Sequence, residues 1–411
     1  MNDGERDEGE RYDVVIVGAG HGGAAAAAAL RQRGFAGSIV LIGAEPELPY
    51  ERPPLSKEYL AGERAFERML IRPAAFWRER EITLLLGQPV AVVDASARRV
   101  TLENGRVIGY HRLIWAAGGS ARRLACEGHD LAGVHTVRCR ADVDRMIAEL
   151  PRVERVAVVG GGYVGLEAAA VLTALGRRVT VIEARDRLLA RVAGATLADF
   201  YAAEHRARGV EVRLGAQVES ILANDGVAAG VRLGDGERVA AEMVIVGIGL
   251  VPAVAPLLAA GADGGDGVIV DSLCRTSLPD VYAIGDAAAH RNAFAGGALV
   301  RLESVQNATD QAATVAKRLT GTDEPYAAVP WFWSNQYDLR LQTVGLSAGH
   351  DEAILRGAPT SRRFSVIYRR AGRVVALDCV NAARDFVRGK ALVSAGATVD
   401  ATVLADPAIP L

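Results

Sequence analysis

Short apolar runs that end in glycine set the rhythm of the first half of the chain. Tyr12–Val17 has strand length and stops at a cluster of glycines; Ala24–Leu30, six alanines and a leucine, follows as a helix. Side chains that small let a helix lie close on a sheet. Ser38–Ile42 is a second apolar run, so the segment predicts a βαβ unit opened by glycines. The order recurs later: strand Arg155–Val159, glycines Gly160 to Gly165, helix Leu166–Leu175, strand Arg178–Ile182. Strand pairs follow each unit, at Arg99–Leu102 with Val107–Tyr110 and at Val231–Leu233 with Arg238–Ala240. Beyond residue 326 aromatics cluster at Trp331, Phe332, Trp333 and Tyr337. There, Phe364–Tyr368 and Val374–Val380 flank Ala371-Gly372 as a hairpin, and Ala383–Ala395 reads as a helix ended near Gly396. The pattern therefore predicts an α/β fold with two Rossmann-like dinucleotide-binding domains and a C-terminal α+β domain.

A chain of 411 residues, half of them hydrophobic, exceeds one ordinary core and fits two or three domains. The net charge of −2 implies no single-sign field, which argues against a nucleic-acid partner. Arginine supplies almost all positive charge; the lysines are Lys57, Lys317 and Lys390. Cys126, Cys139, Cys274 and Cys379 are far apart, without CxxC spacing, and so read as structural thiols rather than a disulfide framework, zinc site or dithiol centre. The histidines show no ligand spacing, and no metal is expected. Met1–Arg11 is polar and is expected to be flexible; it lacks the apolar core of a signal peptide. No apolar run reaches the roughly twenty residues of a membrane span, so a cytoplasmic location is expected.

Gly18-Ala19-Gly20-His21-Gly22-Gly23 fits GxGxxG between a strand and a helix. Its first glycine permits the tight turn, the second brings backbone close to a pyrophosphate, and the last lets the helix approach the strand. The helix N-terminus adds N–H groups and positive dipole. An acid is expected after the next strand to hold ribose hydroxyls; Glu45 is the candidate, with Ala44 equally placed by spacing. Gly160-Gly161-Gly162-Tyr163-Val164-Gly165 repeats the motif, and its second strand ends at Glu183. A carboxylate there holds a ribose 2′-hydroxyl and repels a 2′-phosphate, favouring NADH over NADPH, although Arg185, Arg187 and Arg191 stand nearby.

Longer motifs resemble one family. Leu48-Pro49-Tyr50-Glu51-Arg52-Pro53-Pro54-Leu55-Ser56-Lys57, Thr276 to Asp286, Arg301 to Ala308 and Pro330 to Asp338 are similar, in order, to the oxygenase-coupled ferredoxin reductases that include putidaredoxin and rhodocoxin reductases. The likeness runs from Tyr12 to the C-terminus. It implies a glutathione-reductase type fold: an FAD domain from 12–115 and 248–326, an NADH domain at 116–247, and a C-terminal domain at 327–411. It further implies that the first glycine loop (Gly18, Gly20, Gly22, Gly23) takes FAD and the second (Gly160, Gly162, Val164, Gly165) takes NADH. By the same likeness Lys57 stands beside the flavin ring with Glu167 as its acid. Arg52, Val90, Arg138, Asp286 and Val305 match further FAD contacts, and Gly249 a turn against the nicotinamide nucleotide. Trp333 matches an interface or electron-path position. The implied reaction is hydride transfer from NADH to FAD, then single-electron transfer to a 2Fe–2S ferredoxin feeding a terminal oxygenase. A monomer or weak dimer is expected. Two departures stand out: Ala44 replaces a frequent acid, and Ala116-Ala117-Gly118 replaces a Thr-containing turn. Other outcomes on this fold are an NADH-sensing protein resembling apoptosis-inducing factor and a partner-free NADH oxidase or monodehydroascorbate-type reductase.

Overall fold

The structure, a computed structural model, describes residues 10–411. The chain divides into two compact units: residues 10–51, Met69–Ser120 and Val251–Ala328 form one, and Arg52–Arg68, Ala121–Leu250 and Val329–Leu411 the other.

The first unit is built on a mainly parallel sheet. Arg11–Val17 runs between Ile39–Ile42 and Val107–Trp115, parallel to both. Ile82–Leu85 extends one side, and Val281–Ala283 pairs in parallel with Val107–Trp115. Arg99–Leu102 and Val90–Asp94 add antiparallel strands. Strands covered on both faces need apolar side chains on both, and Val14, Val15, Ile16 and Val17 are all buried. The helix His21–Gln32 lays Ala24, Ala27 and Leu30 on this sheet beside Ala312 and Val315 of the helix Val305–Leu319. Full burial of a side chain such as Leu30 contributes about 2 kcal/mol.

In the second unit a parallel sheet has the order Glu211–Leu214, Arg178–Glu183, Arg155–Val159, Met243–Val246, Val134–Thr136. The helix Tyr163–Ala174 follows its glycine loop. The C-terminal part is a five-stranded antiparallel sheet, ordered Trp331–Gln336, Leu339–Gly345, Arg373–Val380, Arg363–Arg370, Glu352–Ala358. The expected hairpin turns at Ala371 (φ 49°) and Gly372 (φ 77°), the two positive φ values of a turn that matches strand twist. The helix Ala383–Ala395 lies against this sheet so closely that a Cβ on Gly389 would come within 2.5 Å of Leu377, and Gly396 ends it in the left-handed conformation.

Several elements differ from the sequence pattern. Both glycine-loop helices begin earlier than expected, at His21 and Tyr163, because each is capped from within its own glycine motif. The expected flexible start at Met1–Arg11 falls largely on residues 1–9, outside the described residues. Arg11 instead opens the first strand, and the Glu10 carbonyl accepts from the Gly109 N–H at 2.8 Å. The segment Arg52–Arg68, expected within a 12–115 domain, belongs to the second unit, as does Gly249, expected within 248–326. Polar ties explain the first shift: Lys57 binds Glu167, and the Tyr59 hydroxyl donates to Asp144 at 2.5 Å. Residues 329–411 join the same unit, with His205 bonded to Gln336 and the Gly194 amide donating to the Tyr368 hydroxyl.

Candidate active site

The two glycine loops are built alike. Gly18 has φ +110°, and a Cβ there would lie 2.2 Å from the Ala116 carbonyl oxygen; Gly160 has φ +107°, with the Gly247 oxygen at 2.5 Å. The last glycine of each motif packs onto the first: a Cβ on Gly23 would sit 1.9 Å from the Gly18 oxygen, and one on Gly165 2.3 Å from the Gly160 oxygen. Only glycine fits these positions. Gly20 and Gly162 are the helix N-caps, and neither helix has a side-chain cap or an acid in its first turn. Each loop therefore presents a helix N-terminus suited to a pyrophosphate, so the residues fit two dinucleotides. Gly22 is less constrained, facing the Ile284 side chain at 3.4 Å, and Val164 is an exposed apolar residue at the start of its helix.

The acids after the second strands differ. Ala44 is exposed, whereas Glu45 is half-buried and accepts a hydrogen bond from the Tyr50 hydroxyl at 2.5 Å. Glu183 accepts from the Gly161 amide at 2.7 Å and from the Arg185 amide at 2.8 Å. An ionised carboxylate has about four lone-pair sites, so these two bonds aim Glu183 at the glycine loop and leave capacity for ribose hydroxyls. Gly249 has φ +116°, and the Arg191 guanidinium lies 3.2 Å from where its Cβ would be.

Within the second unit, three segments meet at Glu167. Its Oε2 accepts from Lys57 Nζ at 2.7 Å and from the Ser56 hydroxyl at 2.6 Å. Its Oε1 accepts from the Ser334 hydroxyl at 2.7 Å. The Lys57 side chain is 11% exposed and that of Glu167 4%, so the charges face each other with little water between. Local geometry produces the meeting. Tyr163 and Glu167 are one turn apart on their helix, and Phe332 and Ser334 lie two apart on a strand, hence on one face. The Tyr163 ring packs on Phe332 at 4.7 Å, which sets Ser334 opposite Glu167. A single turn of 3₁₀ helix at Pro53–Ser56 delivers Ser56 and Lys57.

The other expected contacts fall into two groups. In the second unit Arg52 donates to the Arg138 carbonyl at 2.7 Å, bringing those two residues together. In the first unit Val90 opens its strand, Asp286 sits in the short turn Gly285–Ala287, and Val305 begins a helix capped by Ser304. Trp333 is half-buried, 5.5 Å from Trp331 on the strand face opposite Ser334. Sequence reasoning missed Ser56, Ser334, Gln336 and His205; the available signal was the run of three polar residues, Ser334 to Gln336, directly after three aromatics in one strand. The four cysteines are free, Cys274 and Cys379 buried, and burial pushes the Cys379 thiol up to about 12. No cluster able to hold a metal occurs among the described residues.

Comparison with known proteins agrees across the chain. Residues 12–312 match the pyridine nucleotide-disulphide oxidoreductase family, and residues 331–411 the reductase C-terminal domain. A ferredoxin–NAD(P)(+) reductase from a Sphingomonas species is 59% identical over 97% of this chain and 97% of its own. The ferredoxin reductase subunit of a 5,5′-dehydrodivanillate O-demethylase from a Sphingobium strain is 58% identical, with the same coverage of both chains. The structure of the covalent putidaredoxin reductase–putidaredoxin complex superposes with a TM-score of 0.94 at 35% identity, over 98% of this chain and 97% of that one.

Proposed function

The chain belongs to the pyridine nucleotide-disulphide oxidoreductase family and carries the reductase C-terminal domain, and from that premise we propose that it passes electrons from NADH through FAD to a 2Fe–2S ferredoxin serving an oxygenase. The observation that carries this reading is the buried Lys57–Glu167 pair, held by two further hydroxyl donors, in the unit that also contains the second glycine loop.

The first glycine loop, with Glu45, Val90, Asp286 and Val305, is assigned to FAD. The second, with Glu183 and Gly249, is assigned to NADH. FAD, when bound, takes up a hydride as an electron pair and releases the electrons one at a time. The protein supplies position and electrostatics. Lys57 offers a fixed positive charge for negative charge gained by the reduced ring, and Glu167 keeps the ammonium oriented. Glu183 accepts from ribose hydroxyls and disfavours a 2′-phosphate. The cysteines lack the spacing of a dithiol pair, so the electrons leave without a disulfide relay.

A ferredoxin partner is supported by the relatives that are named as ferredoxin reductases and by the putidaredoxin complex. Trp333, on the aromatic face of its strand, is assigned to the partner face or electron path. No helix among the described residues is long and apolar enough to cross a membrane. We place the protein in the cytoplasm, where NADH is supplied and free thiols persist.

Stopped-flow reduction tests the reading. NADH is expected to bleach the bound flavin much faster than NADPH does, and a 2Fe–2S ferredoxin added afterwards is expected to restore its colour. Flavin that stays oxidised with NADH, or a reduced protein that ignores the ferredoxin, would sink it.

A further inference from the structure

Behind Glu167 runs a chain of buried polar groups that neither glycine loop explains. Ser334, Gln336 and His205 are 0%, 1% and 0% exposed, so water offers none of them an alternative partner. The Tyr337 hydroxyl bonds His205 Nδ1 at 3.1 Å, and His205 Nε2 bonds Gln336 Oε1 at 2.9 Å. Gln336 Nε2 donates to Ser334 Oγ at 3.3 Å, and Ser334 donates to Glu167 Oε1 at 2.7 Å.

Donor chemistry gives the chain one direction. Burial lowers the His205 pKa, which keeps the imidazole neutral with a single N–H. The charged groups acting on it are Arg208, which opposes protonation and lies 4.3 Å over the Tyr337 ring, and Glu204, which favours it. Gln336 Oε1 can only accept, so the His205 hydrogen is on Nε2 and Tyr337 donates to Nδ1. The Gln336 amide then turns its NH₂ to Ser334, whose own hydrogen is left for Glu167. Every bond points the same way, toward the carboxylate that orients Lys57, and bonds in such a series polarise one another. An amide does not carry protons at neutral pH, so Gln336 interrupts any relay. The chain holds; it does not conduct.

We propose that Ser334, backed by Gln336 and His205, is a positioning residue that fixes the Glu167 carboxylate against Lys57 and so sets how fast the bound flavin is reduced. This rests on the assignment of that pair to NADH oxidation.

The test is stopped-flow reduction of FAD-loaded Ser334→Ala, Ser334→Thr and Gln336→Glu by NADH. Gln336→Glu keeps size but replaces the amide donor by an acceptor that draws the Ser334 hydroxyl off Glu167. The limiting rate at saturating NADH is expected to fall about tenfold in Ser334→Ala and Gln336→Glu, with the half-saturating NADH concentration unchanged. Ser334→Thr, which keeps the hydroxyl, is expected to stay within about twofold of the parent. Parental limiting rates in both disrupted variants would overturn the proposal, as would a change confined to half-saturation. Should Ser334→Ala fail to retain FAD, Gln336→Glu decides by the same criteria. A parent protein that takes no electrons from NADH would remove the underlying assignment as well, and so is distinguishable from failure of the proposal alone.

Discussion

Removing either half of the Lys57–Glu167 pair should not cost the same. Without Lys57, the Glu167 carboxylate still accepts from Ser56 at 2.6 Å and Ser334 at 2.7 Å. Without the Glu167 carboxylate, Lys57 Nζ is left with the Ser56 oxygen, at 3.4 Å. Breaking a buried pair by removing one partner costs about 3–5 kcal/mol when the remaining charge is stranded. Glu167→Met strands the ammonium and should cost about 4 kcal/mol. Lys57→Met leaves two charge-assisted hydrogen bonds in place and should cost about 2 kcal/mol. The double variant strands neither charge but leaves the Ser56 and Ser334 hydroxyls without their acceptor, so it should cost about 2–3 kcal/mol rather than the roughly 6 expected of independent sites. Urea unfolding of the FAD-loaded proteins, followed by tryptophan fluorescence, measures all four corners of the cycle. Equal single-variant costs, or additivity within about 0.5 kcal/mol, would refute the reasoning.

Other consequences are open to direct measurement. Gly18→Ala places a Cβ 2.2 Å from the Ala116 carbonyl oxygen at φ +110°, and purified variant is expected to retain little FAD by absorbance. Glu183→Ser removes the carboxylate to which we assign rejection of a 2′-phosphate; the ratio of kcat/KM for NADH over NADPH should drop by about tenfold or more, measured with each coenzyme. Asp378 is buried beneath the Tyr368 hydroxyl, and burial raises its pKa from 3.8 to about 7. The folded protein therefore keeps a proton that the unfolded chain releases. The resulting stability is fully present below pH 3.8 and is lost as the pH rises to about 7, by about 1.4 kcal/mol per unit. Asp378→Asn should lack this loss, so unfolding midpoints of variant and parent should diverge with rising pH and then run parallel.

How much of this was legible depends on the range of the interaction. The glycine loops were readable because strand, turn and helix are contiguous, and because Gly18 and Gly160 meet backbone that no side chain can displace. Glu183 was readable for the same reason, at the end of the strand after its loop. Lys57 and Glu167 are 110 residues apart, and only family likeness joined them. Ser334 and Gln336 were hidden by the usual expectation that a polar strand end such as Ser334-Asn335-Gln336 faces water; here they face a carboxylate and an imidazole. His205 looked like one of several scattered histidines because its partner lies 131 residues away. Composition carries no sign of which unit a short segment such as Arg52–Arg68 will join.

That placement has a consequence for biosynthesis. The chain passes between units at residues 51/52, 68/69, 120/121, 250/251 and 328/329. Glu167 is translated long after Lys57 and long before Ser334, so while the chain is emerging from the ribosome its carboxylate lacks one of its hydroxyl donors. A product truncated ahead of Trp331 would still encode both glycine loops, yet would leave that anion half-clamped in its pocket. The second unit is thus completed only by Val329–Leu411, a segment translated after both glycine loops.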